Sequence, residues 1–168
     1  MQRRTLLKLG IGAAAVLAVA GGGIALLRPG LVNGRMTPAS TTVFSAVARA
    51  VLDGALPQDA GASDAAIAAH LQRMDDTLAA FPAATQAELS QLLALLSSTA
   101  GRVGFVGLRS DWPQASVQDI QDALQSMRTS RLALRQQAYH ALRDLTNAAY
   151  FADPQTWPLL GYPGPRVI

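Results

Sequence analysis

Ser63-Asp64-Ala65-Ala66-Ile67-Ala68-Ala69-His70-Leu71-Gln72-Arg73-Met74-Asp75-Asp76-Thr77-Leu78-Ala79-Ala80-Phe81-Pro82 decides the fold class. Its large apolar side chains, Ile67, Leu71, Met74, Leu78 and Phe81, step by four, three, four and three, the spacing that lines one face of an α-helix. Ser63 or Asp64 is the expected cap, because either side chain can accept from the first free backbone N–H groups, and Pro82 ends the run. Gln58 to Ala62, just upstream, is rich in turn-forming residues and is expected to be a loop.

Outward from this segment the same period recurs. Before it, a helix from Ser40 or Thr41 to about Leu52 places Val43, Phe44, Val47 and Val51 on one face, with Gly54 closing it. After it, Ala84 to Ser98 carries Leu89, Leu92, Leu93, Leu95 and Leu96, a face broad enough to be well buried. Gly101-Arg102-Val103-Gly104-Phe105-Val106-Gly107 has glycines at every third position, but no Lys-Ser or Lys-Thr follows as a phosphate loop requires, so it reads as a close-packed connection. Ser116 with Asp119 forms a variant capping box for a helix bearing Val117, Ile120, Leu124 and Met127.

A last helix, about Ser130 to Phe151, places Leu132, Leu134, Ala138, Tyr139, Leu142, Leu145, Ala149 and Tyr150 on a broad apolar sector. Arg128, Arg131, Arg135 and Arg143 line much of the remainder, which reads as a solvated basic face ahead of the alternative, a contact for an acidic partner surface. No stretch alternates with period two for long enough to be a strand, and the expected fold is all-α, an irregular bundle of four or five helices over residues 37–168.

The front of the chain, residues 1–36, differs. Five of the 14 Lys and Arg residues (Arg3, Arg4, Lys8, Arg28 and Arg35) precede Thr37 without a single acid, which leaves nine against 11 Asp and Glu and a body of formal charge −2. The pI near 10 therefore belongs to the leader, and the body offers no basic patch to nucleic acid. Gln2-Arg3-Arg4-Thr5-Leu6-Leu7-Lys8 followed by an apolar run resembles a twin-arginine export signal. Leu9 to Leu27 holds 19 uncharged residues, which as a helix would measure about 28 Å against a hydrocarbon core of about 30 Å. Ala18-Val19-Ala20 offers a peptidase site, yet the run continues seven residues past it to Arg28, which favours an uncleaved membrane-spanning anchor over a removed signal helix. The leading positive charges hold the N-terminus in the cytoplasm and put the body in the periplasm. Arg28 to Pro38, rich in Gly and Pro, reads as a tether.

Catalytic constellations are hard to assemble. There are no cysteines, which excludes thiolate metal sites and thiol catalysis within this chain. His70 and His140 each stand alone on their helices and read as surface or half-buried residues; Asp75 and Asp76 point about 100° apart on a helix; Ser97-Ser98-Thr99 has no nearby base. Gly10-Ile11-Gly12-Ala13-Ala14-Ala15 matches the G-x-G-x-x-A string of a dinucleotide site but lacks the preceding strand and the following acid.

The C-terminal stretch from Tyr150 to Pro165 is the most distinctive. Asp153-Pro154 stops the last helix, and beyond it the chain is expected to be extended, with Pro163-Gly164 suited to a type II turn. Five of the nine aromatic side chains, Tyr139, Tyr150, Phe151, Trp157 and Tyr162, fall in the last 30 positions. Such a segment can strap the protein's own core, dock a partner, or do both.

The chain is similar to the gluconate 2-dehydrogenase subunit 3 family. The resemblance rests on Arg3-Arg4, on Ala50-Val51-Leu52 through Leu56-Pro57, on the arginine-rich last helix, and on Ala149-Tyr150-Phe151-Ala152-Asp153-Pro154 through Trp157 to Gly161-Tyr162-Pro163-Gly164-Pro165. It implies a non-catalytic small subunit without a cofactor of its own. The implied partner is a large FAD-bearing oxidoreductase of the glucose-methanol-choline type, passing electrons to a c-type cytochrome subunit or another acceptor at the periplasmic face of the inner membrane. On that basis Arg3 and Arg4 serve as export signal, residues 9–27 as anchor, and Tyr150, Phe151, Trp157, Tyr162, Pro163 and Pro165 as partner docking. The alternative expectation is an anchored periplasmic helical scaffold for a partner that is not a dehydrogenase.

Overall fold

A computed structural model describes residues 27–164. The export signal at Arg3 and Arg4, the anchor up to residue 26 and Pro165 lie outside the described residues, within which no helix is long and apolar enough to cross a membrane.

The body is mostly helical. Five α-helices, α1 (Pro38–Val51), α2 (Ala60–Ala79), α3 (Ala83–Ser97), α4 (Val117–Arg128) and α5 (Ala133–Phe151), are joined by a π-helical turn at Gly101–Val106 and followed by a 3-10 helix at Pro154–Leu160. α1 is the hub and packs against each of the other four. It buries far more than the one face expected of it: Ser40, Ala46, Ala48 and Ala50 are enclosed together with Val43, Phe44 and Val47. Its small side chains let neighbours approach on every side, as in helices that are apolar all round. Thr37 accepts from the Ser40 N–H, and Pro38 occupies the first turn, where a missing N–H costs nothing.

The segment expected to be a loose tether is structured. Leu31–Val32 (β1) and Arg35–Met36 (β2) pair antiparallel, so the expectation of no strand also fails at this short hairpin. Asn33 and Gly34 form the turn with φ of 52° and 76°, the left-handed values that a two-residue hairpin loop needs at both central positions. The hairpin is bound to the helices behind it. Ser90 Oγ accepts from the Leu31 N–H, and the Met36 N–H donates to Asp75 Oδ1 at 2.6 Å. Arg35 donates to both Asp75 and Asp76, at 3.1 and 2.8 Å. These adjacent carboxylates, expected to diverge, converge on one guanidinium because it reaches between them from another element.

α2 starts earlier than expected: Asp59 rather than Ser63 or Asp64 caps it by accepting from the Ala62 N–H at 2.8 Å, and Gly61 and Ala62 are helical. Its stripe of Ile67, Met74 and Leu78 is buried as read, with Leu71 and Phe81 at the margin. The capping box of Ser116 and Asp119 on α4 forms as expected.

The glycine-rich connection is close-packed. A Cβ on Gly101 would lie 1.9 Å from the Leu95 carbonyl oxygen, so the turn closes only around glycine. Arg102, nearly buried, folds the next loop around itself by donating to the carbonyls of Leu108, Arg109 and Ser110 and pairing with Asp111 at 2.6 Å. Trp112 Nε1 then donates to the Leu96 carbonyl at 2.9 Å from within the core. Leu132, assigned above to the apolar face of the last helix, instead precedes α5 and is exposed.

Candidate functional site

The C-terminal segment is a platform, not an extended tail. Asp153 turns out of α5 in an extended conformation, and its Oδ1 accepts from the Gln155 N–H at 3.0 Å. Pro154, read above only as a stop, also begins the next helix, because its fixed φ suits a first helical turn. The 3-10 helix ends at Gly161 in the left-handed region. Within it the Thr156 hydroxyl, buried, donates to the Asp153 carbonyl at 2.7 Å. Trp157 folds back so that its indole N–H donates to the Phe151 carbonyl at 2.9 Å, and the Tyr162 N–H returns to the Trp157 carbonyl at 3.1 Å. The Trp157 and Tyr162 rings lie 5.3 Å apart.

Beneath the platform, α2 and α5 meet in a seam built from His70, Arg73, Ala149 and Tyr150. Tyr150 is enclosed with Ala48 of α1 and Leu52 at its C-terminal cap, and its hydroxyl donates to the Ala55 carbonyl at 3.0 Å. Burial pushes its phenol above the ordinary value. Arg73 Nε donates to the Ala149 carbonyl at 3.0 Å, and Nη1 pairs with Asp153 at 3.2 Å, so one side chain closes the end of α5 and holds the first residue of the platform. His70, expected near the surface, is fully buried. Among the described residues neither ring nitrogen has a hydrogen-bond partner, and the ring meets Tyr150 edge-on at 6.2 Å. Desolvation first, and the Arg73 charge second, lower its pKa from 6.5 to about 4.

The docking residues read from the sequence thus fall at three depths. Tyr150 belongs to the interior; Phe151 and Trp157 are half-buried and hold the platform to α5; Tyr162 and Pro163 stand at the surface. Strap and exposed face coexist in one segment. Leu159 and Leu160, 58% and 59% exposed, and Tyr162 at 46% are the large apolar side chains that the platform leaves exposed. Sequence reasoning missed these two leucines because nothing local to them marks either as exposed; their exposure is set by how the 3-10 helix docks on the bundle.

Elsewhere the polar side chains serve the fold. Ser98 Oγ donates to the Leu95 carbonyl and accepts from the Gly101 N–H, closing α3. His140 is exposed on α5. Among the described residues no three His, Asp or Glu side chains gather as a metal site would require. An apolar groove of about 710 Å³ between the hairpin, the start of α1 and the end of α3 is lined by Gly30, Val32, Pro38 and Ala94. Among the described residues its lining holds no acid–base pair, although Ser97 Oγ there is buried without a partner. In comparisons with known proteins, the chain matches no family model, no curated protein and no solved structure.

Proposed function

We propose that this chain is the non-catalytic small subunit of a membrane-associated periplasmic dehydrogenase, and that its C-terminal platform docks a large FAD-dependent subunit of the glucose-methanol-choline type. The observation that carries the reading is the platform itself: Leu159 and Leu160 at the end of a short helix, and Tyr162 just beyond it, are exposed on a segment held at both ends by hydrogen bonds. Exposed apolar side chains on a pre-ordered element lose little entropy on binding, which is the physical signature of a docking surface. The resemblance at Ala149 to Pro165 and at Arg3-Arg4 supplies the identity of the partner.

In this reading the chemistry belongs to the partner. FAD is bound on the large subunit, electrons leave through a c-type cytochrome subunit or another acceptor, and residues 9–27 anchor the assembly. A twin-arginine signal fits such a partner, since a flavoprotein folds around its cofactor before export and one signal on a bound small subunit carries both. The test is co-expression with the reading frames beside its gene, followed by affinity purification on this chain. A yellow complex that oxidises an alcohol or sugar, with no activity in the small subunit alone, is the expected result. Dye reduction by the small subunit alone would overturn it, and capture of a colourless partner would favour the scaffold alternative.

A further inference from the structure

We propose that His70 makes the attachment of the C-terminal platform acid-sensitive: when its ring takes a proton, the seam between α2 and α5 opens and the platform lifts from the bundle. The argument begins with what surrounds the ring. His70 is fully enclosed, and among the described residues both nitrogens lack a partner. α5 presents the neutral Tyr150 ring, and α1 contributes Ala48 and its C-terminal cap Leu52 around that tyrosine. The charge nearest on its own helix is the cation Arg73, and the acid at that end of the seam, Asp153, is already paired with it. Toward the hairpin, Arg35 is held by Asp75 and Asp76. Among the described residues, no carboxylate is bonded to the imidazole to stabilise it once protonated.

A proton there adds a second cation beside Arg73 in an enclosed seam, and such a charge is relieved by admitting water. The seam that opens is the one holding the platform. Arg73 grips the Ala149 carbonyl and Asp153, and the Tyr150 carbonyl accepts from the Thr156 hydroxyl at 3.4 Å. Opening at His70 therefore loosens the contacts that hold residues 153–162 in place. The closed ring resists protonation down to about pH 4, whereas an exposed imidazole protonates near 6.5, so the open state gains as pH falls between those values.

The consequence for partner release rests on the docking reading above, but the opening is measured on the subunit alone, so failure of one is distinguishable from failure of the other. Amide exchange of the full chain in detergent is followed from pH 7.5 to 4, corrected for intrinsic rates, at Gly161 and Tyr162 on the platform and at Ile120 and Leu124 in α4. The expected result is a loss of platform protection approaching tenfold per pH unit below 6.5, with α4 protection retained. In His70→Leu and His70→Gln, which cannot gain the charge, platform protection should not depend on pH. Unchanged platform protection down to pH 4 in the wild type, parallel loss in α4, or the same acid response in a folded His70 variant would each overturn the proposal.

Discussion

Arg73 and Asp153, 80 positions apart, pair at 3.2 Å, and through that pair the last element of the chain is tied to α2. The same guanidinium closes the carbonyl end of α5 at Ala149. Arg73→Ala removes both contacts and leaves a half-buried carboxylate without its cation, which is expected to cost about 2 kcal/mol of stability. Chemical denaturation reads the cost; a change below about 0.5 kcal/mol, the size usual for surface substitutions, would mean that the platform is held by its aromatic contacts alone.

Tyr162 and Trp157 should separate binding from folding. Tyr162→Ala, on the exposed side, is expected to weaken a partner complex by about 2 kcal/mol or more, as aromatic anchors do, with little change in the melting of the free subunit. Trp157→Ala loses the indole bond to Phe151 and its packing on α5, and should cost about 2 kcal/mol of folding stability before any partner is added. Thermal unfolding beside pull-down of the proposed large subunit checks both, and a Tyr162→Ala chain that binds as tightly as wild type would remove the docking role.

Gly101→Ala tests the connection between α3 and the following loop. The new methyl would meet the Leu95 carbonyl oxygen at 1.9 Å, backbone that cannot swing aside, so a loss of about 3 kcal/mol is expected. Gly104→Ala, with open space where its Cβ would go, is the control and should be close to neutral.

Overall stability should carry a histidine signature. The folded His70 has the lower pKa, so the unfolded chain binds its proton first. This contribution is fully present above pH 6.5 and is lost as pH falls toward about 4, at about 1.4 kcal/mol per pH unit. Denaturation midpoints compared between wild type and His70→Leu at pH 7.5, 5.5 and 4.5 measure it; equal pH dependence in both would remove His70 as its source.

Export is tested by replacing Arg3 and Arg4 together with lysine, which keeps the charge but not the planar fork. Both this chain and the proposed flavoprotein partner are expected to stay in the cytoplasm, as cell fractionation would show. A partner that still reaches the periplasm would refute shared export.

Local chemistry made much of this protein legible in its sequence. The stripes of α2 and α4, the Ser116–Asp119 capping box and the end of α5 before Pro154 follow from helical period and proline sterics, which act within a few residues. Asn33-Gly34 carried the hairpin just as locally, but it was masked by the surrounding glycine and proline that suggested a tether. What only the tertiary structure decided depends on meetings between distant segments. Period alone does not reveal that the alanines of α1 face four neighbours, that Asp75 and Asp76 share Arg35, or that His70 lies in the dark beneath Tyr150. For the candidate site, composition revealed the concentration of aromatic groups near the end of the chain. Their division into an interior residue, two half-buried anchors and an exposed face arose because Thr156 and Trp157 found carbonyl acceptors on the end of α5 and at Asp153, partners created only when the bundle and its last helix were in place.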